Sequence, residues 1–389
     1  MRRSESARAV DASSAGHAGV NSDGHAGESP DRRSNGPGGR SGGRSGDDVR
    51  PTRLRAVAVV IAVVTLLGVA SVSALLGAAD LGWTRVVREV WAQLTGGTSP
   101  LSATEAAIVW EVRVPRVVLA GLVGAALAVS GAAFQGVFRN PLADPYLLGA
   151  AAGAGMAATI VVVAAPQTTG WVLGPLPIAA FAGAIGGVSL TWLLGRSAGG
   201  GTAVLLLAGV AVASFLTAVQ TFAQQLNTDT IKQVYSWMLG GLNTTGWREV
   251  LITVPYIGAA AVVLCLCARL LDVLAVGDDE AASLGVNPAR VRVVVLLAAS
   301  LATAAAVAVS GLIGFVGIVV PHVVRLLAGA SYRVVVPLSL FGGATFLIIT
   351  DYIARTAFAP AEVPIGVITA FTGAPFFLLV LRMYRGRLR

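Results

Sequence analysis

The chain has 389 residues, of which 55% are hydrophobic and 12% charged, with a mean hydropathy of +0.76 and a formal net charge of +8. Soluble domains carry about 25% charged residues, so this composition excludes a soluble globular protein and predicts an integral membrane protein with several spans. The positive charge does not indicate nucleic-acid binding, because ten arginines lie in the first 55 residues and most others flank apolar runs.

The beginning of the chain differs from the rest. Residues 1–52 are rich in Ser, Gly, Arg and Asp and lack the pattern of a buried core, which predicts a disordered cytoplasmic tail. Residues 53–389 are predicted to form a ten-helix transmembrane domain, because they contain ten apolar runs near the roughly 20 residues that a span needs. The runs are 56–78, 117–138, 146–165, 175–195, 203–226, 249–268, 291–309, 312–328, 334–353 and 366–384. A polar excursion from Asp80 to Glu111 carries a short helical stretch around Trp83–Leu94, which is predicted to lie on the membrane surface.

Arginine placement predicts the orientation. With the N-terminus in the cytoplasm, most arginines that flank the runs fall inside, as the positive-inside rule requires. An even number of spans then puts both termini in the cytoplasm. Arg113, Arg116 and Arg355 lie on the outer face, against this trend. They are interpreted in two ways: they contact lipid headgroups, or they pair with acidic residues of a soluble partner.

A weak internal repeat is visible. Residues 126–131, Ala-Leu-Ala-Val-Ser-Gly, recur as Ala-Val-Ala-Val-Ser-Gly at 306–311, and a proline follows each copy, Pro141 and Pro321. In the predicted topology the two copies run in opposite directions, which predicts an inverted repeat of the kind found in many transporters.

Catalysis on this chain is not predicted. No Asp, Glu, Lys or Arg lies in the middle of any run, which argues against a proton-coupled or sodium-coupled carrier. A P-loop requires a lysine in a glycine-rich motif, and the single lysine, Lys232, lies in TDTIKQVYSW. If ATP drives transport, a separate subunit must bind it. Cys265 and Cys267 share one run at a spacing that separates their faces, so no metal site is predicted.

One loop on the predicted inner face is acidic. Residues 272–292 read DVLAVGDDEAASLGVNPARVR, in which Gly277 and Asp278 can start a short helix and Gly285 can end it. The loop is either a solvated connector or a docking helix for a cytoplasmic partner.

The motifs together resemble the FecCD-type permease subunits of ABC importers for iron-siderophores, vitamin B12 and haem. The resemblance covers residues 55–388. It is carried by these motifs: RVPR (113–116), GAALAVSG (124–131), RNPLADPYLLG (139–149), LLAGVAV (206–212), WMLGGL (237–242), GDDEAASLGV (277–286), SGLIGFVGIVVPHVVR (310–325), DYIAR (351–355) and AEVPIGVITAFTGAPFF (361–377).

The resemblance implies an all-α membrane fold like that of the vitamin B12 importer permease, with ten helices per subunit. It implies a homodimer, or a dimer with a similar permease, around a path lined mainly by residues 203–226 and 366–384. It further implies an external substrate-binding protein that meets Arg113, Arg116 and Arg355. Two cytoplasmic ATPase subunits would dock on the 272–292 loop at Asp278, Asp279, Glu280, Ser283, Leu284 and Gly285. Candidates for the hinge and the translocation path are Asn140, Pro141, Pro145, Gly209, Gly366, Thr369, Gly373 and Pro375.

The implied function is alternating-access import across the bacterial cytoplasmic membrane, driven by ATP on the partner subunit and without a cofactor on this chain. An iron-siderophore is the first choice of substrate, followed by cobalamin and then haem. Two other classes are weighed against this one: an ATP-independent secondary transporter and a membrane enzyme.

Overall fold

The computed structural model of the protein describes residue 54 and residues 56–77, 81–164, 174–242 and 246–385. The regular structure in these residues is helical throughout. In chain order the helices are α1 (Ala56–Leu75), α2 (Trp83–Thr95), α3 (Ala103–Ala107), α4 (Val114–Phe138), α5 (Ala150–Ala164), α6 (Pro175–Ser197), α7 (Thr202–Leu226), α8 (Ile231–Met238), α9 (Arg248–Val276), α10 (Asp278–Ser283), α11 (Pro288–Ser310), α12 (Val316–Ala328), α13 (Tyr332–Thr356) and α14 (Ile365–Arg385).

The ten predicted runs correspond to ten helical segments. Seven segments are long and apolar enough to cross a membrane, and α3 and α4 count together as one of them. The other three are the shorter apolar helices α5 and α12 and the Ile365–Val380 part of α14. The prediction of an all-α membrane protein with about ten spans is confirmed.

The helix of the second span begins at Ala103, earlier in the chain than the apolar run 117–138 predicts. A continuous helix runs from Ala103 through a π-helical segment, Ile108–Arg113, into α4. Ser102 starts it with a capping box, in which its hydroxyl accepts from the Glu105 N–H and the Glu105 carboxylate accepts from the Ser102 N–H. The cap stabilises polar helical turns that an apolar count does not register.

α4 lies at the centre of the bundle. Of its most apolar stretch 78% is buried, against 6% for α1. An added Cβ at Gly131 would lie 2.0 Å from the carbonyl oxygen of Gly317 in α12, and one at Gly124 would lie 2.2 Å from that of Gly343 in α13. These crossings are possible because the contact positions carry no side chain.

The two copies of the repeat lie on antiparallel helices. The end of α4 and the beginning of α11 meet at one carboxylate, since Arg139 and Arg292 both bond Asp278. Between them the Ser130 hydroxyl of α4 donates to the Ala299 carbonyl of α11 at 2.9 Å. This is the arrangement that an inverted repeat requires.

After each copy the α-helix is interrupted, and a short α-helix follows the interruption. A 3-10 helix, Pro145–Leu148, precedes α5, and residues 311–315 precede α12. The segments meet where the Tyr146 hydroxyl donates to the Ile313 carbonyl at 3.1 Å and accepts from the Ile313 N–H at 3.2 Å. Breaks at corresponding positions of two repeats are typical of translocation sites.

α8 is a helix that hydropathy did not predict, because eight residues are too few to span a bilayer. The predicted tail, residues 1–52, lies outside the described residues. The division of the chain at residues 52–53 therefore stays a prediction.

Candidate functional site

The arginine cluster, Arg113, Arg116 and Arg355, lies at the end of the bundle where α1 and α13 end and α4 begins. We call this the arginine end. Arg113 Nη1 donates to the Leu75 carbonyl at 3.3 Å, and Arg355 Nη2 donates to the carbonyl and the hydroxyl of Ser73. These carbonyls belong to the last turn of α1, where no partner exists within the helix. Two of the three arginines thus complete the end of α1.

Asp351 connects the other contacts of the cluster. Its carboxylate is fully buried; Oδ1 accepts from Arg116 Nε at 2.9 Å, and Oδ2 lies 3.4 Å from Arg355 Nε. The spacing of Asp351 and Arg355 is one helical turn, which places them on the same face of α13. A buried carboxylate between two guanidinium groups holds α4 and α13 in register.

Glu362 occupies the exposed side of Arg116. It lies between α13 and α14, and its Oε1 and Oε2 accept from Arg116 Nη1 and Nη2, each at 2.9 Å. The side chain of Glu362 is 49% exposed, whereas that of Arg116 is 12% exposed. The hydrogen bonds from Arg116 hold the pKa of the Glu362 carboxyl below its ordinary value.

The structure thus brings the three predicted arginines together but buries them. Arg113 and Arg355 are only 5% and 6% exposed. Sequence reasoning missed Glu362 and Ser73, although the AEVP motif contains Glu362. Whether a partner protein meets the cluster stays a prediction.

The predicted acidic helix is present as α10 at the opposite end of the bundle. Gly277 precedes it and Gly285, with φ of 79°, follows its last turn, as predicted. Asp278 faces inward: Oδ1 accepts from Arg139, at the end of α4, and from Arg292 in α11. The hydrogen bond from Arg292 holds the pKa of Asp278 below its ordinary value.

Apart from Ala281, the rest of α10 and the turn that follows it are exposed. Ala281 is buried and anchors the helix, and the Ser283 hydroxyl bonds the Glu280 carbonyl at 2.8 Å. The exposed predicted docking residues are Asp279, Glu280, Ser283, Leu284 and Gly285. Asp278 therefore has a different role from its five neighbours, since it ties α10 to α4 and α11.

The predicted hinge begins at Arg139, which adopts a left-handed conformation with φ of 48° and donates through Nε to the Leu274 carbonyl at 2.7 Å. Asn140 Oδ1 accepts from the Leu142 N–H at 2.9 Å, and Pro141 lies in the same turn. Pro145 then opens the 3-10 helix. The segment connects α10 to the interior of the bundle.

The 3-10 helix is held tightly on two sides. An added Cβ at Gly209 of α7 would lie 2.1 Å from the Leu147 carbonyl oxygen. One at Gly317 of α12 would lie 2.8 Å from the Pro145 ring. Gly209 is therefore a packing position between α7 and the hinge.

The predicted path residues of α14 lie either in contacts with the rest of the bundle or along an apolar groove. Gly366 donates to the Leu239 carbonyl at 3.0 Å, and an added Cβ at Gly373 would lie 2.3 Å from the Phe315 ring. Thr369 is buried and bonds the Gly366 carbonyl at 3.0 Å. Pro375 lies within the helix and lines the groove described next.

An apolar groove of about 620 Å³ runs along α14. Its lining comes from α14, the end of α8 and the 311–315 segment, and includes Met238, Leu312, Phe315, Gly366, Phe371 and Pro375. A second cleft, of about 920 Å³, opens at the arginine end beside Arg116, Lys232 and Glu362. Among the described residues, no three His, Cys, Asp or Glu side chains are grouped so as to hold a metal ion.

Comparisons with known proteins agree with this architecture. The profile of the FecCD transport family matches residues 55–383. The chain is 42% identical over 280 residues to the cobalamin import system permease protein BtuC of Halobacterium salinarum, covering 72% of this chain and 74% of the relative. It is 40% identical over 288 residues to the hemin transport system permease protein HmuU of Yersinia pestis, covering 72% and 85%.

A solved structure described as a metal-chelate type ABC transporter, in an inward-facing conformation, has the same fold. It covers 85% of this chain and 100% of its own, with a TM-score of 0.73 and 26% sequence identity. Permeases of ABC importers work with ATPase and substrate-binding subunits, so the alternatives of a secondary transporter and a membrane enzyme are not supported. The chain belongs to the FecCD transport family and is a permease subunit of an ABC importer, a multi-pass protein of the cell membrane.

Proposed function

We propose that this permease carries an iron-siderophore complex by alternating access, driven by two copies of a separate ATPase. The main support is the apolar groove along α14, combined with the likeness to a transporter described as of the metal-chelate type. A chelator already satisfies the coordination of its metal, so the path needs no metal ligands. The described residues that line the groove are uncharged, and selectivity then resides in the binding protein.

Cobalamin is the second candidate, because one relative is named a cobalamin import permease. Haem is the third, on the strength of the relative named for hemin transport. Both share with a siderophore complex a large organic framework around a metal.

The orientation we propose puts α10 and both termini in the cytoplasm. Arginines concentrate at the α10 end, where the positive-inside rule expects them, among them Arg139, Arg292, Arg325 and Arg333. The arginine end then faces the outside. In this orientation the exposed face of α10 is the docking site for the ATPase.

For the binding protein, we propose Arg116 as the exchange point at the arginine end. Its Nη atoms already bond Glu362, so an incoming carboxylate must replace Glu362. Arg113 and Arg355 stabilise the structure around Arg116, because they donate hydrogen bonds to the last turn of α1. Replacement of Glu362 would release the loop that leads into α14, where Gly366 bonds Leu239.

A second copy of the permease completes the path in this proposal. α7 and α14 expose large apolar side chains, such as Leu207, Phe222 and Phe371, and both contribute predicted path residues. A homodimer with these helices at its centre would enclose the groove between two copies.

The test of this function is purification from native membranes in a gentle detergent, followed by mass spectrometry of the co-purified proteins. An ATPase in equal stoichiometry and an iron-loaded binding protein are expected. A corrin-loaded binding protein would favour cobalamin instead. A stable permease without ATPase, under conditions that preserve other ABC complexes, would contradict the proposal.

A further inference from the structure

α2 leaves an apolar face exposed in addition to the face that it packs against the protein. Its buried positions are Val86, Ala92 and the fully buried carboxylate Glu89. Its opposite face is apolar and exposed. Trp83, Val87, Trp91 and Leu94 follow one another at intervals of four, four and three residues, and they are 44–78% exposed. This spacing gathers them into one stripe.

Polar contacts fix the rotation of the helix, so the exposed stripe is not the result of loose attachment. Glu89 accepts hydrogen bonds from the Ser99 hydroxyl, from Trp110 Nε1 at 3.1 Å and from Gln93 Nε2 at 3.3 Å. The Ser99 hydrogen bond holds the pKa of Glu89 below its ordinary value, so the carboxylate stays charged at neutral pH. Turning the stripe inward would expose these bonds to water.

A second clamp secures the beginning of α2. Arg85 Nη1 and Nη2 bond the two carboxylate oxygens of Glu105 at 2.9 and 2.8 Å, and Nη2 also bonds the Pro100 carbonyl at 3.2 Å. The pair is bidentate, which restrains direction as well as distance. α2 therefore presents its apolar stripe in one direction.

The position of α2 indicates what covers the stripe. α2 begins eight residues after the end of α1, which packs one face against the bundle and exposes apolar side chains such as Val60, Val64 and Leu67 on the other. Beneath α2, a small cluster of Leu81, Val86, Leu101 and Val109 packs against Leu75 and Val114, where two spans end. The stripe thus continues the lipid-facing surface of α1 at the level where the spans leave the bilayer.

The chemistry of the stripe fits the lipid interface. Tryptophan is enriched at this depth because its ring is apolar and its N–H needs a polar partner. In helical projection Thr84, Arg88 and Thr95 lie along one edge of the stripe, and all three are exposed. Arg88 is then placed to meet lipid phosphates. A tryptophan on the neighbouring helix, Trp247, is also partly exposed at this end and donates through Nε1 to the Trp110 carbonyl at 3.0 Å.

We propose that the Trp83–Val87–Trp91–Leu94 face of α2 binds the headgroup region of the lipid bilayer. Helices of this kind insert their apolar face about 5–10 Å into the boundary between headgroups and acyl chains. The contact anchors the 81–113 segment to the membrane. It thereby fixes the end of the π-helical segment, which carries Arg113, and the beginning of α4, which carries Arg116. The proposal is independent of which substrate the permease carries.

The test places a fluorescent bimane label on the stripe in the full-length permease, in lipid nanodiscs without any partner protein. Trp91→Cys is labelled in a Cys265→Ser/Cys267→Ser background, and Trp83→Cys serves as a second reporter if the first variant is poorly folded. The discs contain lipids that carry a nitroxide quencher either at the headgroup or in the middle of the acyl chain. Thr98→Cys, in the exposed turn after α2, is the matched control.

The expected result is strong quenching of the label at position 91 by the headgroup nitroxide, weaker quenching by the deep nitroxide and little quenching by aqueous iodide. The control label should show the opposite order. Quenching of position 91 by iodide but not by either lipid would overturn the proposal. Protection from iodide that appears only when a purified binding protein is added would also overturn it, and would assign the stripe to that partner.

Discussion

Arg116 and Glu362 form a bidentate pair, with two parallel hydrogen bonds of 2.9 Å between the guanidinium and the carboxylate. The pair joins the beginning of α4 to the loop that leads into α14. It also means that the most accessible arginine of the cluster already has an internal carboxylate partner.

Removing that partner should strengthen the binding of a substrate-binding protein. Glu362→Gln keeps the shape of the side chain but loses its charge, so an incoming carboxylate no longer competes with it. A partly exposed pair contributes about 0–1 kcal/mol, so the affinity should rise by at most about five-fold. The measurement is the Kd for the purified binding protein at two salt concentrations, with the permease in nanodiscs.

Glu111→Gln is the control for this experiment. It removes an exposed carboxylate from the π-helical segment at the same end of the bundle without freeing Arg116 from Glu362, so the Kd should not change. Weaker binding of Glu362→Gln would contradict the exchange model, because it would mean that Glu362 itself contacts the partner.

Asp351→Asn should destabilise the permease. Asp351 is fully buried between Arg116 and Arg355, and its loss leaves two cations without their shared counter-charge. Breaking a buried pair in this way costs about 3–5 kcal/mol in the free energy of unfolding. The unfolding transition in detergent should fall accordingly, whereas the exposed Asp229→Asn should change stability by no more than about 0.5 kcal/mol. Equal stability of both variants would show that Asp351 does not organise the arginine end.

Asp278→Asn should uncouple ATP hydrolysis from transport without releasing the ATPase. Asp278 connects α10 to Arg139 and Arg292, so the neutral variant weakens the link between the docking helix and the bundle. We expect uptake per ATP hydrolysed to fall by about five-fold, as the loss of roughly 1 kcal/mol implies. Co-purification of the ATPase should not change.

Glu280→Lys is the complementary variant. Glu280 is exposed on α10, where we propose that the ATPase docks. Reversing its charge should therefore reduce the amount of ATPase that co-purifies with the permease. If Asp278→Asn releases the ATPase and Glu280→Lys does not, the roles assigned to the two faces of α10 are wrong.

The attachment of α2 should depend on pH only under acid conditions. The Ser99 hydrogen bond holds the pKa of the Glu89 carboxyl below its ordinary value. A carboxyl with a lowered pKa stabilises the folded state above its ordinary pKa of 4.5, and this contribution disappears as the pH falls through the lowered value. Near-ultraviolet circular dichroism, to which Trp110 contributes, should stay constant from about pH 8 to pH 5 and change only below the ordinary value.

In Glu89→Gln the titrating carboxyl is missing at every pH, so the remaining acid transition should be shallower. A loss of the signal between about pH 7 and pH 5 in the unaltered protein would contradict this account of α2.

Gly131→Ala should disrupt the crossing of α4 and α12. The new methyl group would lie 2.0 Å from the Gly317 carbonyl oxygen, so the helices must separate. Overpacking of this kind costs about 1–3 kcal/mol or more in the free energy of unfolding. Gly121→Ala on the same helix meets nothing closer than 3.5 Å and should be tolerated. Similar unfolding transitions for the two variants would contradict the crossing.

Much of the fold follows from the sequence, because hydropathy and span length report directly on the solvent that each helix meets. The ten runs and the short helix predicted between Gly277 and Gly285 correspond to elements of the structure. The early start of the second span does not follow from hydropathy, because a capping box at Ser102 and Glu105 stabilises a polar stretch.

The sequence predicts the three arginines of the candidate site but not the residues that they bond. Arg113 and Arg355 stand out in the sequence as charges on the outer side, yet the structure uses them to bond the last turn of α1. Their partners are backbone carbonyls, which leave no mark in the side-chain pattern. Glu362 is separated from Arg116 by 246 positions, so only the fold brings them together.

The most direct test of the account is transport by the permease, its ATPase and its binding protein reconstituted in proteoliposomes. Uptake of radiolabelled iron bound to a siderophore is compared with uptake of cobalamin and of hemin, each with and without ATP. We expect ATP-dependent uptake of the iron-siderophore that exceeds uptake of the other two. ATP-dependent uptake of cobalamin or hemin alone would contradict the proposed substrate, and uptake that does not depend on ATP would contradict the transport mechanism itself.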